Sequence, residues 1–388
     1  MTKAQEQFIQ LLKQVVFDGV PPSGEYSGEL VRLACQQDLA CFLGKTLNGQ
    51  RNRYYYAAAY RDTARSLCLR QLSELLEEAG VDYVLLKGAW IKDLYPNPAL
   101  RTSSDIDVLV RPEAVDETAE RICEKLGFRA SAKGFHCIPL YGNSVCVELH
   151  YRLDNGNPKM DSLLGQAWEY AVREGGHRYV FTPEFTVFYS LCHTANHFQS
   201  GGCGVRPFLD LQLMLDRLSP EEAGLRVLLR AAELERFYEV MLCLCGRWFD
   251  RPDNERRCRE RPDAAVPERV ADYVLTNGLM GTPESTVTYR RSEQYAHTVT
   301  SGVKAGTRLG RLAYLKKRLF SSREYLESLY PSLRGKTAAA VPFYHLKRWT
   351  RLLNRSTGRR IRNEVTINRR LTVVQIENTE SLMRALQL

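Results

Sequence analysis

A chain of 388 residues with 44% apolar and 26% charged side chains is long enough to bury a large core, and its composition excludes the disordered and fibrous classes. No apolar run reaches the ~20 residues that a bilayer-spanning helix needs, which excludes an integral helical membrane protein. The net charge of +9 is unevenly placed: residues 303–370 hold 18 Lys and Arg against 3 Glu, a local +15, so the remainder sums to −6.

From the start of the chain, residues 1–80 read as a helical region. Phe8, Leu11, Leu12, Val15 and Val16 make one apolar stripe. Leu67 through Leu76 make another, in a long helix over about residues 54–79 that Gly80 ends with a left-handed cap. Residues 81–155 read as a mixed α/β core. Within it, residues 112–127 carry Val115, Ala119, Ile122, Cys123 and Leu126 at helical spacing. Residues 135–141 and 144–151 are β-rich runs on either side of Gly142-Asn143, which predicts a hairpin. The helix would return the chain so that the Glu148 strand pairs beside the Asp105-Ile106-Asp107 strand.

After the turn-rich residues 154–158, residues 156–300 read as a helical domain, with helices to about Trp248 and a loop at residues 201–204. Residues 249–266 look charged and loop-like, and residues 278–298 are polar without a clear period. Residues 301–388 form a basic C-terminal region. Tyr314, Leu315, Leu319, Phe320, Tyr325, Leu326 and Leu329 are spaced as in a helix, and Lys316-Lys317-Arg318 and Arg359-Arg360-Ile361-Arg362 are the densest basic clusters.

Eleven cysteines, all before Asn277, sit mostly in apolar stretches such as residues 241–245, where cysteine behaves as a small buried hydrophobe. No Cys-x-x-Cys spacing occurs, so no zinc site is expected. A reducing cytoplasm is expected instead, and Met1 to Gln7 carry no apolar signal-peptide core.

Residues 83–110 carry the chemistry. Two apart in a strand, Asp105 and Asp107 share a face while Ile106 points into the core. Neighbouring carboxylates repel and are costly to desolvate without a cation between them. Hard ions such as Mg²⁺ take oxygen ligands of this kind, with phosphate oxygens completing the shell. The competing reading has Asp105 capping the loop and Asp107 solvated on an edge strand. Glu148 adds a third carboxylate on a strand where Glu148, His150 and Arg152 alternate with Val147, Leu149 and Tyr151. Three carboxylates on neighbouring strands could hold two Mg²⁺ about 3.5–4 Å apart, the arrangement used for in-line displacement at phosphorus.

The order Lys87-Gly88, Tyr95-Pro96, Arg101, Asp105-Ile106-Asp107 and Glu148-Leu149-His150 resembles the polymerase-beta-like nucleotidyltransferase superfamily. More narrowly it resembles the bacterial family labelled uncharacterised nucleotidyltransferase, over about residues 83–330. The resemblance implies an α+β fold, a small mixed nucleotidyltransferase sheet embedded in a largely helical protein. It puts Asp105 and Asp107 at the paired metal-ligand positions, Glu148 at the third, and Gly88 at the turn whose amides meet nucleotide phosphates. His193, His197, Gly204, Arg206 and Asp210 fall in a stretch that recurs in the narrower family. There are departures: Ala89 replaces the usual small hydroxyl residue, Asp105 lies 17 positions after Gly88, longer than the usual spacing, and the third acid is Glu rather than Asp.

The implied activity is transfer of an NMP from an NTP to an acceptor hydroxyl with pyrophosphate release, an EC 2.7.7-like reaction using Mg²⁺ (or Mn²⁺). Lys87 and Arg101 are candidates for the triphosphate, or else a surface lysine and arginine. His150 shares a face with Glu148 and either touches a substrate or orients another ligand. His193 and His197, four apart on a helix beginning near Pro183, and Arg206 and Asp210, four apart on the next, read either as polar packing between helices or as an acceptor pocket. Arg206 would pair with a phosphate or with Asp210. The 303–370 region suits an anionic membrane surface, nucleic acid or a polyanionic acceptor, or is a solvated basic face. Two other classes stay open, a nucleic-acid-associated protein and a non-catalytic nucleotide-binding or scaffolding member. The acceptor is a small molecule, a sugar, a peptide or a protein.

Overall fold

The computed structural model describes residues 1–20, 26–43, 53–142, 144–154, 156–279 and 281–298, short stretches between 316 and 336, and residues 337–352 and 355–388. The side chains of 255, 293–298 and 351–362 are not described. The chain divides into two compact units, Met1–Asn196 with Cys203–Leu279 and Leu386–Leu388, and His197–Gly202 with Met280–Ala385.

In the first unit, helices α1 (Lys3–Val16), α2 (Gly28–Gln36) and α3 (Arg53–Glu78) precede strand β1 (Tyr83–Leu85) and the one-turn helix α4 (Gly88–Ile91). Then come β2 (Asp105–Val110), α5 (Val115–Leu126), β3 (Arg129–Ala130), β4 (Cys137–Gly142) and β5 (Val145–His150). After α6 (Pro158–Leu164), β6 (Ala171–Gly175) and β7 (Arg178–Phe181), the helices α7 (Pro183–Gln199), α8 (Arg206–Leu218), α9 (Glu222–Ala231), α10 (Glu235–Phe249), α11 (Asp253–Arg257) and α12 (Ala265–Asn277) complete the unit, with α7 running into the second.

The α+β class expected from the sequence is what the fold shows. Seven strands lie in the order β3-β4-β5-β2-β1-β7-β6. The expected hairpin is β4–β5, antiparallel from Cys137↔His150 to Gly142↔Val145. The crossover through α5 brings β5 parallel to β2 with Asp107 opposite Glu148. Helix α5 ends at Gly127 in the left-handed region (φ 72°), where a glycine carries no steric cost. One face of this sheet holds Ile106, Val108, Val110, Val145, Val147 and Leu149, and packs on Cys68, Leu72 and Leu76 of α3 and Val115, Ala119 and Ile122 of α5. Each fully buried Leu, Ile or Val there contributes about 1.5–3 kcal/mol. The opposite face is left for polar residues.

Three sequence expectations need correction. Residues 156–248 are not wholly helical: β6 and β7 form an antiparallel hairpin about Gly176-His177, and β7 joins β1 in parallel. Val172, Arg173, Glu174 and Val180 are exposed, so apolar alternation is weak, and Gly176, in the left-handed region at φ 53°, was the legible turn signal. Residues 249–266 include the short helix α11. Residues 278–298 contain a helix, Pro283–Thr298. It starts on a reciprocal cap, with Ser285 N donating to Thr282 Oγ1 (3.0 Å) and Thr282 N to Ser285 Oγ (2.8 Å), a device that needs no apolar period.

In the second unit, the Pro283–Thr298 and Val341–Leu352 helices each contact the Arg355–Arg370 helix, and Val373–Leu386 follows. Small clusters, Val287 with Leu371 and Ile376, and Leu326 with Tyr330, Leu333 and Tyr344, hold it together. Of the stripe expected around residues 314–329, Tyr314, Leu315, Tyr325 and Leu329 lie outside the described residues, as do Lys317, Arg318 and the side chains of Arg359, Arg360, Ile361 and Arg362.

Candidate active site

The polar face of the sheet carries the site. Because β2 and β5 are in register, the Asp107 and Glu148 side chains leave their strands side by side on one face. His150, two residues along β5, completes a group whose donor atoms all lie within 4.8 Å of one another. Asp107 is buried, and its Oδ1 accepts from Lys87 Nζ at 3.0 Å and lies 2.9 Å from His150 Nε2. His150 Nε2 is also 3.4 Å from Glu148 Oε2. Glu148 is more open, with a side chain 31% exposed. Asp105 lies on the same face but outside this group. Its carboxylate accepts from Ser103 Oγ (2.9 Å) and Ser104 Oγ (3.2 Å).

Lys87 reaches Asp107 by an unusual backbone. It stands between β1 and α4 with φ 43° and ψ −123°, a region where a non-glycine residue costs on the order of 1–3 kcal/mol. The sharp strand-to-helix turn projects the side chain over the ends of β1 and β2. Leu86 N donates to Asp107 O at 2.9 Å, tying the turn to the acidic strand.

Gly88 has a packing role of its own. A Cβ at this position would overlap Arg101 Nη1 and come within 3.0 Å of Ser103 Oγ. Arg101 is buried and pairs with Asp210 of α8, Nη2 donating to Oδ2 at 2.8 Å, while Tyr95 Oη donates to Asp210 Oδ1 at 2.7 Å. Arg206, one turn earlier on α8, donates instead to Asp38 Oδ2 (2.7 Å) and Thr102 Oγ1 (2.7 Å). The expected Arg206–Asp210 alternative is thus replaced by two pairings, Arg101–Asp210 and Thr102–Arg206, that fasten the loop before β2 to α8. Arg65 of α3 donates to Ser103 O, gripping the same loop from the other side.

Tyr189, buried on α7, lies where its phenol and the Lys87 ammonium influence each other's ionisation. His193 is half-buried one turn further along α7, and His197 falls in the second unit. Sequence reasoning missed Tyr189, since a tyrosine in an apolar helix carries no distinguishing signal. His136 and Cys137 were read only as part of a hairpin. Yet Cys137 is the register partner of His150, the His136 and His150 rings stack at 5.6 Å and 15°, and His136, Cys137 and His150 form a second compact donor group. The hairpin register was the signal that could have found them.

The electrostatics follow from burial. Burial alone would raise the Asp107 carboxyl, but Lys87 and His150 outweigh it and hold Asp107 well below the usual carboxylate range. For Lys87, burial works against the charge, and the anions around it, Asp107 among them, more than restore it. Burial likewise pulls His150 down, while its bonds to Asp107 and Glu148 raise it above the ordinary imidazole value. A raised folded-state pKa contributes stability that is complete below the unfolded value, about 6.5, and is lost as pH rises through the folded value. The Asp107 contribution has the opposite sense, present above about pH 3.9 and lost as pH falls toward its folded value. Urea midpoints between pH 6 and 9 are therefore expected to fall in wild type by a step that His150→Gln lacks. The same step in both proteins would exclude His150 as its source.

A family model described as uncharacterised nucleotidyltransferase matches residues 28–250, a span that contains every side chain of this site. Comparison with curated proteins gave no match, and comparison with solved structures gave none.

Proposed function

This chain belongs to the uncharacterised nucleotidyltransferase family, and we propose that it transfers a nucleoside monophosphate from an NTP to an acceptor hydroxyl with release of pyrophosphate. The observation that carries the reading is the in-register Asp107–Glu148 pair on one polar sheet face with the Lys87 cation beside it. Two carboxylates on adjacent strands, and a third from Asp105 on the same face, are the hard oxygen donors that Mg²⁺ (or Mn²⁺) accepts. Asp105, Asp107 and Glu148 would hold it. The bound ion would supply Lewis-acid stabilisation of charge on the α-phosphate and acidify an attacking hydroxyl.

The protein's own groups do the rest. Lys87, kept protonated by its anionic neighbours, offers a fixed charge to phosphate oxygens. Arg101, held by Asp210, supports the turn at Gly88 and adds positive potential near Asp107. Glu148, the most open carboxylate of the group, takes the acceptor's proton as the acceptor oxygen bonds the α-phosphorus and the α–β bridging bond breaks. His150 orients Asp107 and Glu148. On the acceptor side we place His193, on the α7 face that carries Tyr189, while Arg206 and Asp210 act through the loop they fasten.

A second reading has one observation in its favour. Lys87 and His150 already neutralise Asp107, as would suit a binding module without turnover. Pyrophosphate release from each NTP, assayed with acceptor fractions from cell extract, separates the two. We expect Mg²⁺-dependent release that Glu148→Gln lowers by roughly 10²-fold or more. Magnesium-dependent NTP binding without release would favour the binding module. Affinity indifferent to Mg²⁺ and to Glu148→Gln would sink both.

The basic region is a partner surface in this reading, for an anionic membrane or a nucleic acid. Some of its cations serve the second unit itself: Lys336 Nζ donates to Tyr344 Oη at 3.0 Å and Arg348 Nη1 to Leu319 O at 3.1 Å. Lys316, Arg369 and Arg370 are exposed and available to polyanions. No described helix is long and apolar enough to cross a membrane.

A further inference from the structure

We propose that His136, Cys137 and His150 form a binding site for one zinc-like divalent ion, adjoining the carboxylate group through His150 and open at a fourth position. Three observations converge on it. One donor atom from each residue lies within 4.8 Å of the others. A tetrahedral site with bonds of about 2.0–2.3 Å needs donor separations of about 3.3–3.6 Å, so an inward shift of about 1 Å closes the set. The mixed N,S donor set suits Zn²⁺ and not Mg²⁺.

The second observation is the state of His150. Its ring is buried and its Nε2 is engaged with Asp107 and Glu148, while Nδ1 is buried with no hydrogen-bond partner. An unpaired buried ring nitrogen costs on the order of 1–3 kcal/mol. A metal on Nδ1 removes that cost and fixes the tautomer with Nε2–H directed at the carboxylate, the arrangement by which carboxylates orient metal-bound histidines. The third observation is anchoring. Tyr151 N donates to His136 O at 3.0 Å, Gly134 N donates to Cys137 O at 2.8 Å, and Tyr151 Oη donates to Gly134 O and Phe135 O. The loop that brings His136 over β5 is thereby held in place.

On binding, the Cys137 thiol gives up its proton to solvent, as does the Nδ1–H of a protonated His150, and the thiolate and the Nδ1 lone pair bond the metal; nothing is oxidised or reduced. This site uses none of the carboxylate oxygens assigned to nucleotidyl transfer and shares only His150 with that group, so metal binding read at His136 and Cys137 is distinguishable from turnover. An ion there would clamp the start of β4 to the end of β5 and stiffen the mount of His150. The absence of a Cys-x-x-Cys spacing is no obstacle, because the ligands come from facing positions of a hairpin.

The test is titration of the metal-free full chain with Co²⁺ and Zn²⁺. We expect one equivalent of Co²⁺ to give thiolate charge-transfer absorption in the near ultraviolet, displaced by Zn²⁺ and not by Mg²⁺. Cys137→Ser should abolish the band, His136→Ala should weaken Zn²⁺ binding by 10–100-fold, and Cys146→Ser should leave both unchanged. His136 is only half-buried, so its variant serves if Cys137→Ser does not fold. A band that persists in Cys137→Ser, Zn²⁺ affinity unchanged in His136→Ala, or no band in the wild type would overturn the site.

Discussion

Asp107→Asn is expected to abolish nucleotide transfer and also to destabilise the protein by roughly 2–4 kcal/mol. An aspartate facing only solvent or an ion would tolerate the amide. Here the side chain is 3% exposed, with Lys87 Nζ at 3.0 Å and His150 Nε2 at 2.9 Å. Removing its charge takes away the ion-pair partner of Lys87 and leaves His150 with only Glu148, 3.4 Å away. Breaking a fully buried pair costs about 3–5 kcal/mol, and the figure is reduced because the Lys87 side chain is 20% exposed. Lys87→Met in the same protein should restore much of the stability without restoring activity. Urea unfolding with parallel pyrophosphate assays reads both. An Asp107→Asn protein as stable as wild type would mean the ammonium is not held as described.

Arg101→Ala should be the most destabilising single change near the site, by roughly 3–5 kcal/mol. Both partners are buried, with side chains 9% and 6% exposed. Among the described residues, the variant leaves Asp210 with the Tyr95 hydroxyl as its side-chain partner. Gly88→Ala should weaken the same pair without touching either charge, since its Cβ would overlap Arg101 Nη1. Arg101→Met combined with Asp210→Leu should recover a large part of the loss, because replacing both members of a buried pair by apolar groups removes the unpaired charge. Calorimetric unfolding of the three variants checks this. If Arg101→Ala and the double variant unfold alike, the ion pair is not the source.

The acidic strand and its partner were legible because their rules are local. Alternation put Asp105 and Asp107 on one face, and the Gly142-Asn143 pair fixed the β4–β5 hairpin. From these followed Glu148 beside Asp107. The helices 53–78 and 115–126 were legible for the same reason, each having an apolar stripe and a glycine after its end. What stayed hidden depends on distant partners. Arg101 looks like any loop arginine until α8 folds back and brings Asp210 to it, 109 positions away. The positive φ falls on Lys87 and not on Gly88 beside it, so residue type does not announce it, and the strain is sustained by the ion pair and the strand bond. The β6–β7 hairpin was missed because exposed strands need no apolar alternation.

The parallel pairing of β2 with β5 bears on how the chain reaches its working form. Parallel neighbours cannot be joined by a tight turn, so the two acidic strands meet only after α5 and the β3–β4 segment have been threaded between them. Contacts so far apart in sequence are late rewards in folding, since the intervening loop must close first. Hydrophobic packing of α3 and α5 on the apolar face is what brings the two strands together. Asp107 and Glu148 are thus forced into mutual repulsion by a core already committed, and the cationic groups of Lys87 and His150 arrive as counterweights from either side. A partly folded chain therefore has the carboxylates but not their cluster, and the gathering of Asp107, Glu148 and His150 is a property of the completed tertiary structure.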